Sequence, residues 1–225
     1  MRHRFLAVVA ALVGLAAIVA AQQASVIREI VVQGNQNVTK EAILALMRTK
    51  VGQPYIQAQL DQDKQALENT GFFQAVDVRA RALELDAWQV VVEVQEYPLI
   101  KEIRVTGNNS VKTEDILKVL EVQPGQVFNL KKVQPSIAAI RKLYTDKGFF
   151  ANVDDFAPLE ESPNTLNVSI IELTVGNVTV EGAVRTKPSV MRKLIKTRPG
   201  ETFSARRWES DLRRVYGTQW FEEVK

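Results

Sequence analysis

Cysteine is absent from the 225-residue sequence, and histidine occurs only once, at His3. Without cysteine the chain has no disulfide, no zinc–thiolate site and no cysteine nucleophile. Imidazole general-base chemistry and most transition-metal sites would depend on His3 alone. A phosphate-binding G-x-x-x-x-G-K-[ST] sequence is also absent. The composition therefore argues against an enzyme, and we expect no cofactor and no metal.

Paired carboxylates are the remaining candidates for chemistry. They occur at Asp61/Asp63, Asp154/Asp155, Glu160/Glu161 and Glu222/Glu223. The first pair falls in a helical pattern, where residues two apart do not face each other. The spacing of a calcium-binding loop is absent from all four. We interpret the pairs as solvated surface rather than as catalytic or calcium-binding groups.

Long apolar runs are scarce, and the one that stands out lies at the N-terminus. Arg2 and Arg4 precede an uncharged run from Phe5 to Ala21, which ends in the small-residue sequence Val19-Ala20-Ala21. This pattern predicts a secretory signal peptide over residues 1–21, cleaved after Ala21. The alternative is a short membrane anchor, although the run is slightly shorter than a usual bilayer span.

An internal repeat occupies the rest of the chain. Its landmarks are a first glycine (Gly34, Gly107, Gly182), a second glycine (Gly52, Gly125, Gly200) and an aromatic pair (Phe72-Phe73, Phe149-Phe150, Trp220-Phe221). The first glycines are 73 and 75 residues apart, and the second glycine follows 18 residues later in every copy. The middle copy has four extra residues before its aromatic pair, which is about one helical turn. Three copies with shared offsets indicate a repeat architecture.

The apolar pattern within a copy changes from strand to helix periodicity and back. Strands are predicted at Arg28–Gln33, Phe73–Arg81 and Trp88–Glu96 in copy one, and at Phe150–Phe156 and Thr165–Leu173 in copy two. Thr39 and Thr113 are followed by acidic residues, as at helix starts. The order strand–helix–helix–strand–strand predicts an α+β fold, with one face of a small sheet buried under two helices.

These features resemble the POTRA (polypeptide-transport-associated) domains of the Omp85 family, which are BamA-like. The residues that carry the resemblance are V-x-G-N after the first strand, G-x-x-[FY] in mid-repeat and G-F-F before the second strand. The resemblance implies tandem repeats at 27–97, 98–174 and 175–225, each a three-stranded mixed sheet covered by two helices. Copy three departs from the pattern: Gly182 lacks a following Asn, and Gln219 replaces the glycine of G-F-F. We expect copy three to lack its final strand.

The resemblance also implies a function. Such repeats form the periplasmic arm of outer-membrane assembly factors, whose chains continue into a membrane barrel. The implied partners are unfolded outer-membrane β-barrel precursors and accessory assembly proteins, and export argues against nucleic acid. An arm of a two-partner secretion pore or another Omp85-type translocation pore is an alternative. A soluble cell-envelope scaffold is another.

A sheet edge is the candidate site. The unpaired N–H and C=O groups of an edge strand accept an added strand with little sequence demand. In the resembled family the second strand provides that edge. Here it corresponds to Phe73, Gln74, Ala75, Val76, Asp77, Val78 and Arg79, and to Phe150, Ala151, Asn152 and Val153. Three charged residues of the first of these strands either contact the client, that is, the unfolded precursor, or block aggregation: Asp77, Arg79 and Arg81.

Charge is unevenly distributed along the chain. Residues 176–225 contain 11 Lys and Arg against 6 Asp and Glu, whereas residues 22–175 contain 16 against 20. Arg206, Arg207, Arg213 and Arg214 form a candidate basic face for anionic lipid or an acidic partner. A solvated helix face is the alternative.

Overall fold

A computed structural model of the chain describes residues 25–84, 86–183 and 185–221. The predicted signal peptide and the pair Glu222/Glu223 lie outside these residues. The chain divides into two compact units. The first comprises residues up to Asn69 together with Ala75–Gln95, and the second comprises Thr70–Gln74 and the chain from Glu96 onward.

Repeat 1 has the predicted order of elements. They are β1 (Val26–Gln33), α1 (Lys40–Leu46), α2 (Gln57–Glu68), β2 (Phe73–Glu84) and β3 (Ala87–Glu96). The three strands form one sheet in the order β1-β3-β2, in which β1 and β3 are parallel. The central strand β3 is therefore the last one in sequence, and its parallel pairing with β1 is allowed by the long connection through both helices.

The core of the first unit lies between its helices and one face of the sheet. Val90, Val92 and Val94 alternate along β3 and are all buried. The helices contribute the buried Ile43, Met47, Leu60 and Leu67. Burial of each such side chain contributes about 1.5–3 kcal/mol. Thr39 is the N-cap of α1, and its hydroxyl accepts a hydrogen bond from the Ala42 N–H at 3.2 Å.

Repeat 2 repeats the plan with a small change before its second helix. Its elements are β4 (Glu102–Thr106), α3 (Thr113–Val119), a 3₁₀ turn (Leu130–Lys132), α4 (Val133–Asp146), β5 (Ala151–Pro158) and β6 (Thr165–Glu172). Relative to repeat 1, the 3₁₀ turn adds three residues before the helix and α4 is two residues longer, whereas one residue fewer separates the helix from the following glycine; the net gain is the four extra residues. Thr113 is the first residue of α3 rather than its cap, which is Lys112.

The sheet of repeat 2 is mixed, as the resemblance implied. Its order is β4-β6-β5, with β4 parallel and β5 antiparallel to β6. Leu166, Val168 and Ile170 on β6 face the core, which also contains the fully buried Phe128 and Tyr144. The α+β prediction is confirmed for both repeats.

The Gly-Asn turn after the first strand has a steric cause. Gly34 and Gly107 have φ angles of +84° and +79°. A Cβ on Gly34 would lie 2.0 Å from the Val94 carbonyl oxygen, and one on Gly107 would lie 1.9 Å from that of Ile170. Only glycine fits because the third strand passes directly against the turn.

The third copy contains α5 (Pro188–Leu194) and α6 (Ala205–Tyr216). Met191, Ile195 and Val215 form its small buried cluster. Residues 178–180, the counterpart of the first strand, are not in a strand. A cleft of about 530 Å³ lies against Val180 and the helix pair. The helix face that repeats 1 and 2 cover with a sheet is thus only partly covered by the described residues of this copy.

Candidate functional site

The predicted client-binding strands both lie at sheet edges. In the described sheets, β2 pairs only with β3, and β5 pairs only with β6. Along β2, Phe73, Val76 and Val78 are buried, whereas Gln74 and Ala75 are exposed. The buried residues hold β2 in the fold, so the group that it can offer a partner is its outer backbone edge.

Asp77 and Arg79 of β2 bind each other on the solvent face. The Arg79 Nε lies 2.8 Å from the Asp77 carboxylate, and its second guanidinium nitrogen lies 2.5 Å from Glu93 of β3. All three side chains are about half exposed or more. Such a pair adds little stability, about 0–1 kcal/mol. Arg79 thus bridges Asp77 on its own strand and Glu93 on β3, and the role of these charges against edge-to-edge aggregation stays a prediction.

The edge strand β5 has a bulge in its middle. Its register runs Ala151↔Glu172 and Val153↔Ile170, then shifts before Asp155. The Asp155 carboxylate accepts a hydrogen bond from Asn167 at 2.6 Å. A bulge interrupts regular pairing and increases the local twist. The regular part of the edge therefore ends at Val153.

Backbone groups of β5 alternate between the sheet and its free side. The Leu173 N–H donates to the Phe150 oxygen at 2.8 Å, which places Phe150 at a position of the ladder whose backbone groups face β6. In an antiparallel ladder the next pair has its backbone groups turned away from the partner strand. Ala151 and Val153 therefore direct their N–H and C=O groups to the free edge, and Asn152 directs its groups toward β6.

The edge strand β5 begins at Ala151, one residue after the predicted start at Phe150, and the Phe150 oxygen continues the ladder to Leu173. The Phe150 ring lies 5.9 Å from that of Phe203 in the third repeat, measured between centroids. Its carbonyl oxygen accepts a hydrogen bond from the Leu173 N–H. The residue thus contributes to the contact between repeats 2 and 3 rather than to an open edge.

The four arginines of the basic face all lie on α6, and the side chains of two of them donate hydrogen bonds to backbone carbonyl oxygens. Arg206 donates to the Asp146 carbonyl oxygen at 2.9 Å, and its side chain packs over Gly148. Arg214 donates to the Leu194 oxygen and to the Asp211 carboxylate, both at 2.6 Å. These two side chains have structural roles within the third repeat and at its contact with the second.

The other two arginines are more available to a partner. Arg207 pairs with Glu201 at 2.5 Å, and Arg213 lies 3.6 Å from Glu209. Their side chains are 49% and 73% exposed. Contact of this face with anionic lipid stays a prediction, and Arg207 and Arg213 are the residues that can make it without loss of a backbone contact.

One acidic residue interpreted as surface is buried. Asp63 is 1% exposed, and its carboxylate accepts hydrogen bonds from the backbone N–H groups of Arg48 and Thr49 at 2.6 and 3.1 Å. The interpretation of Asp63 as solvated was therefore wrong. Its burial follows from its place on the apolar face of α2, three residues after the buried Leu60 and four before the buried Leu67.

Glu172 is a second buried acid, and the sequence analysis did not single it out. It follows Leu166, Val168 and Ile170 in the inward alternation of β6, and it is 8% exposed. An acid at an inward strand position is the signal that could have identified it, because a buried carboxylate needs hydrogen-bond donors nearby.

No helix in the described ranges is long and apolar enough to cross a membrane. Across the same ranges, no three His, Cys, Asp or Glu side chains are placed to hold a metal ion.

Comparison with known proteins decides the family. The model of the POTRA family, described as "Surface antigen variable number repeat", matches residues 25–97, 98–172 and 173–225. The chain belongs to the POTRA family. Among solved structures, the N-terminal domain of Omp85 from Thermosynechococcus elongatus has a TM-score of 0.75 and 25% identity, and the match covers 89% of this chain and 88% of that one.

Other relatives extend the comparison. The POTRA1–3 region of Omp85 from Anabaena has the same fold, with a TM-score of 0.65, 24% identity and coverage of 89% and 87% of the two chains. An outer membrane protein assembly factor BamA of Neorickettsia risticii is 26% identical over 198 residues, which are 84% of this POTRA chain and 24% of that protein. The chloroplastic outer envelope protein 80 of Arabidopsis thaliana is 21% identical over 82% of this chain and 26% of its own length. The chain thus spans about a quarter of the length of these curated relatives.

Proposed function

We propose that the chain is a non-enzymatic periplasmic module of an outer-membrane protein assembly factor. Its POTRA membership and its similarity to proteins named as BamA support this proposal. In it, residues 1–21 direct export, and repeats at 27–97, 98–174 and 175–225 lie on the periplasmic side of the outer membrane. The single observation that carries the proposed mechanism is the free edge of β5, where Ala151 and Val153 direct backbone groups outward.

The clients are unfolded β-barrel precursors, which bind by adding a strand beside β5 or β2. Strands of outer-membrane barrels alternate apolar and polar residues over about ten residues. A backbone ladder recognises such strands without reading their sequences, because every residue except proline offers the same donor and acceptor. One edge can therefore serve many clients. Accessory assembly proteins would dock on the remaining surface.

Proline substitution tests strand addition at β5. Val153→Pro removes an outward N–H but leaves the hydrogen bonds between β5 and β6 in place, as proline at an edge strand does. Val153→Ala is the matched control, because it shortens the same side chain and keeps the N–H. The probe is a synthetic peptide with the alternating pattern of a barrel strand, captured by a photoreactive residue at the exposed position 152.

We expect wild type and Val153→Ala to capture the peptide and Val153→Pro to lose capture. Circular dichroism and thermal unfolding establish that each variant is folded. Equal capture by a folded Val153→Pro variant would overturn strand addition at this edge. Loss of capture in Val153→Ala as well would assign the binding to the side chain instead of the backbone, which also contradicts the proposal.

A further inference from the structure

The Glu172 carboxylate joins four hydrogen-bond donors from three parts of the second unit. One of its oxygens accepts from the Ser110 N–H at 2.7 Å and from the Tyr144 hydroxyl at 3.0 Å. The other accepts from the Ser110 hydroxyl at 2.7 Å and from the Thr202 hydroxyl at 3.0 Å. Ser110 follows β4, Tyr144 lies on α4, and Thr202 precedes α6. Each carboxylate oxygen thus accepts two hydrogen bonds.

Neutral donors alone stabilise this buried charge. None of the ion pairs among the described residues includes Glu172. Burial acts to raise the pKa of Glu172, but the hydrogen bonds from Ser110, Tyr144 and Thr202 outweigh it and lower the pKa below its ordinary value. Burial and the adjacent Glu172 carboxylate raise the pKa of Tyr144, so its hydroxyl keeps the proton that it donates. The site therefore stabilises the ionised form of Glu172.

Thr202 differs from the other donors because it belongs to the third repeat. The segment that contains it runs along the end of repeat 2: Thr202 forms a bridge with Thr174, and Ser204 forms one with Phe149. The Ala205 N–H donates to the Gly148 oxygen at 2.9 Å. The third repeat is therefore joined to the second through these backbone contacts, through the side chains of Arg206 and Phe203, and through the Thr202 bond to a charge buried in repeat 2.

We propose that Glu172 is a clamp that fixes the orientation of the third repeat on the second by holding Thr202. Ser110 and Tyr144 stabilise the carboxylate from within repeat 2, and the oxygen that the Ser110 hydroxyl bonds also accepts from Thr202 of the third repeat. A hydrogen bond to a charged group is stronger than a neutral one. Removal of the Thr202 hydroxyl should therefore loosen the joint without disturbing the interior of repeat 2.

Two variants separate the clamp from ordinary core stability. Thr202→Val removes the donor on the third repeat and keeps the shape of the side chain. Ser110→Ala removes a hydroxyl donor to the same carboxylate oxygen but lies entirely within repeat 2. Because the chain has no cysteine, spin labels on cysteines placed at exposed Lys142 and Lys193 report the distance between repeats 2 and 3. Hydrogen exchange at the Ala205 amide gives a second readout.

We expect a narrow distance distribution in wild type and in Ser110→Ala, and a broad one in Thr202→Val. Exchange protection of the Ala205 amide should fall about tenfold or more in Thr202→Val, the effect of one lost hydrogen bond to a charged group. An unchanged distribution and unchanged protection in Thr202→Val would overturn the clamp. So would Ser110→Ala if it broadened the distribution as much, because the effect would then be general destabilisation of repeat 2.

Discussion

Asp211 of α6 binds Thr197 twice. Its carboxylate accepts one hydrogen bond from the Thr197 backbone N–H and one from the Thr197 hydroxyl, both at 2.7 Å. Asp63 accepts backbone N–H groups at the same point in repeat 1, and the Ser136 hydroxyl accepts the Glu121 N–H at 3.1 Å in repeat 2. In each repeat, a polar side chain of the second helix thus accepts one or two backbone N–H groups from the segment that follows the first helix.

Replacement of Asp211 should destabilise the third repeat. Burial opposes its ionisation, but bonds from the Thr197 hydroxyl, the Lys196 and Thr197 backbone and Arg214 together lower its pKa to about 2. This shift corresponds to about 2 kcal/mol. We therefore expect Asp211→Ala to lower the free energy of unfolding of this repeat by about 2 kcal/mol or more, measured by urea titration of Trp208 fluorescence with Trp88 and Trp220 replaced by Phe.

Glu209→Ala is the control for that measurement. Glu209 lies on the same helix, but its side chain is 63% exposed. It should change the free energy of unfolding by less than about 0.5 kcal/mol. An equal effect of the two substitutions would mean that helix propensity, and not the bond to Thr197, determines the result.

The same carboxylate predicts an acid dependence of stability. The pKa of Asp211 is about 2 in the folded chain against an ordinary 3.8. A group with a lowered folded pKa contributes its stability above the ordinary pKa and loses it as the pH falls through the folded value. The difference in unfolding free energy between wild type and Asp211→Ala should therefore be constant above about pH 5 and shrink between about pH 4 and pH 2. A difference that stays constant down to pH 2 would contradict this assignment.

Alanine substitutions at two glycines should separate the cost of a steric clash from the cost of a positive φ angle. Gly107 and Gly125 both have positive φ angles, +79° and +86°, but only a Cβ on Gly107 meets another atom, the Ile170 oxygen at 1.9 Å. Gly125→Ala should cost about 1–2 kcal/mol, the strain of a left-handed alanine. Gly107→Ala should cost clearly more, because the turn must also move away from β6. Thermal unfolding measures both, and equal losses would show that the close approach to Ile170 adds nothing.

These sites also show what could be predicted from the sequence. The offsets of Gly34 and Gly107 identified the repeat and the turn, because a positive φ and a close approach can be satisfied only by glycine. The alternation of Val90, Val92 and Val94 predicts a strand, which the structure places at the centre of the sheet. Such features depend on each residue and its near neighbours in sequence, and the structure confirms the fold class that they predicted.

The features that were missed depend on distant residues. Asp63 looked like a surface acid because its donors lie 14 and 15 residues earlier in the chain. Glu172 meets Ser110 across 62 residues. The pattern around Phe150 predicts a strand start, but its ring contact with Phe203 depends on the joint between repeats. Hydrophobic periodicity predicts which face is buried but not which distant polar groups meet there.

Binding of the basic face to anionic lipid can be tested on Arg207 and Arg213, the two arginines to which the structure gives no side-chain hydrogen bond to a backbone oxygen. Arg207→Glu with Arg213→Glu removes the charges that the structure leaves most available, and each arginine near an anionic surface contributes about 1 kcal/mol. We expect the wild type to bind phosphatidylglycerol vesicles with a strong salt dependence and the double variant to lose that binding in flotation assays. Lys142→Glu, an equally exposed charge reversal on α4, should bind as wild type does. If the double variant binds equally well, or Lys142→Glu loses as much, the α6 arginines do not form a lipid site, and the solvated-face interpretation holds.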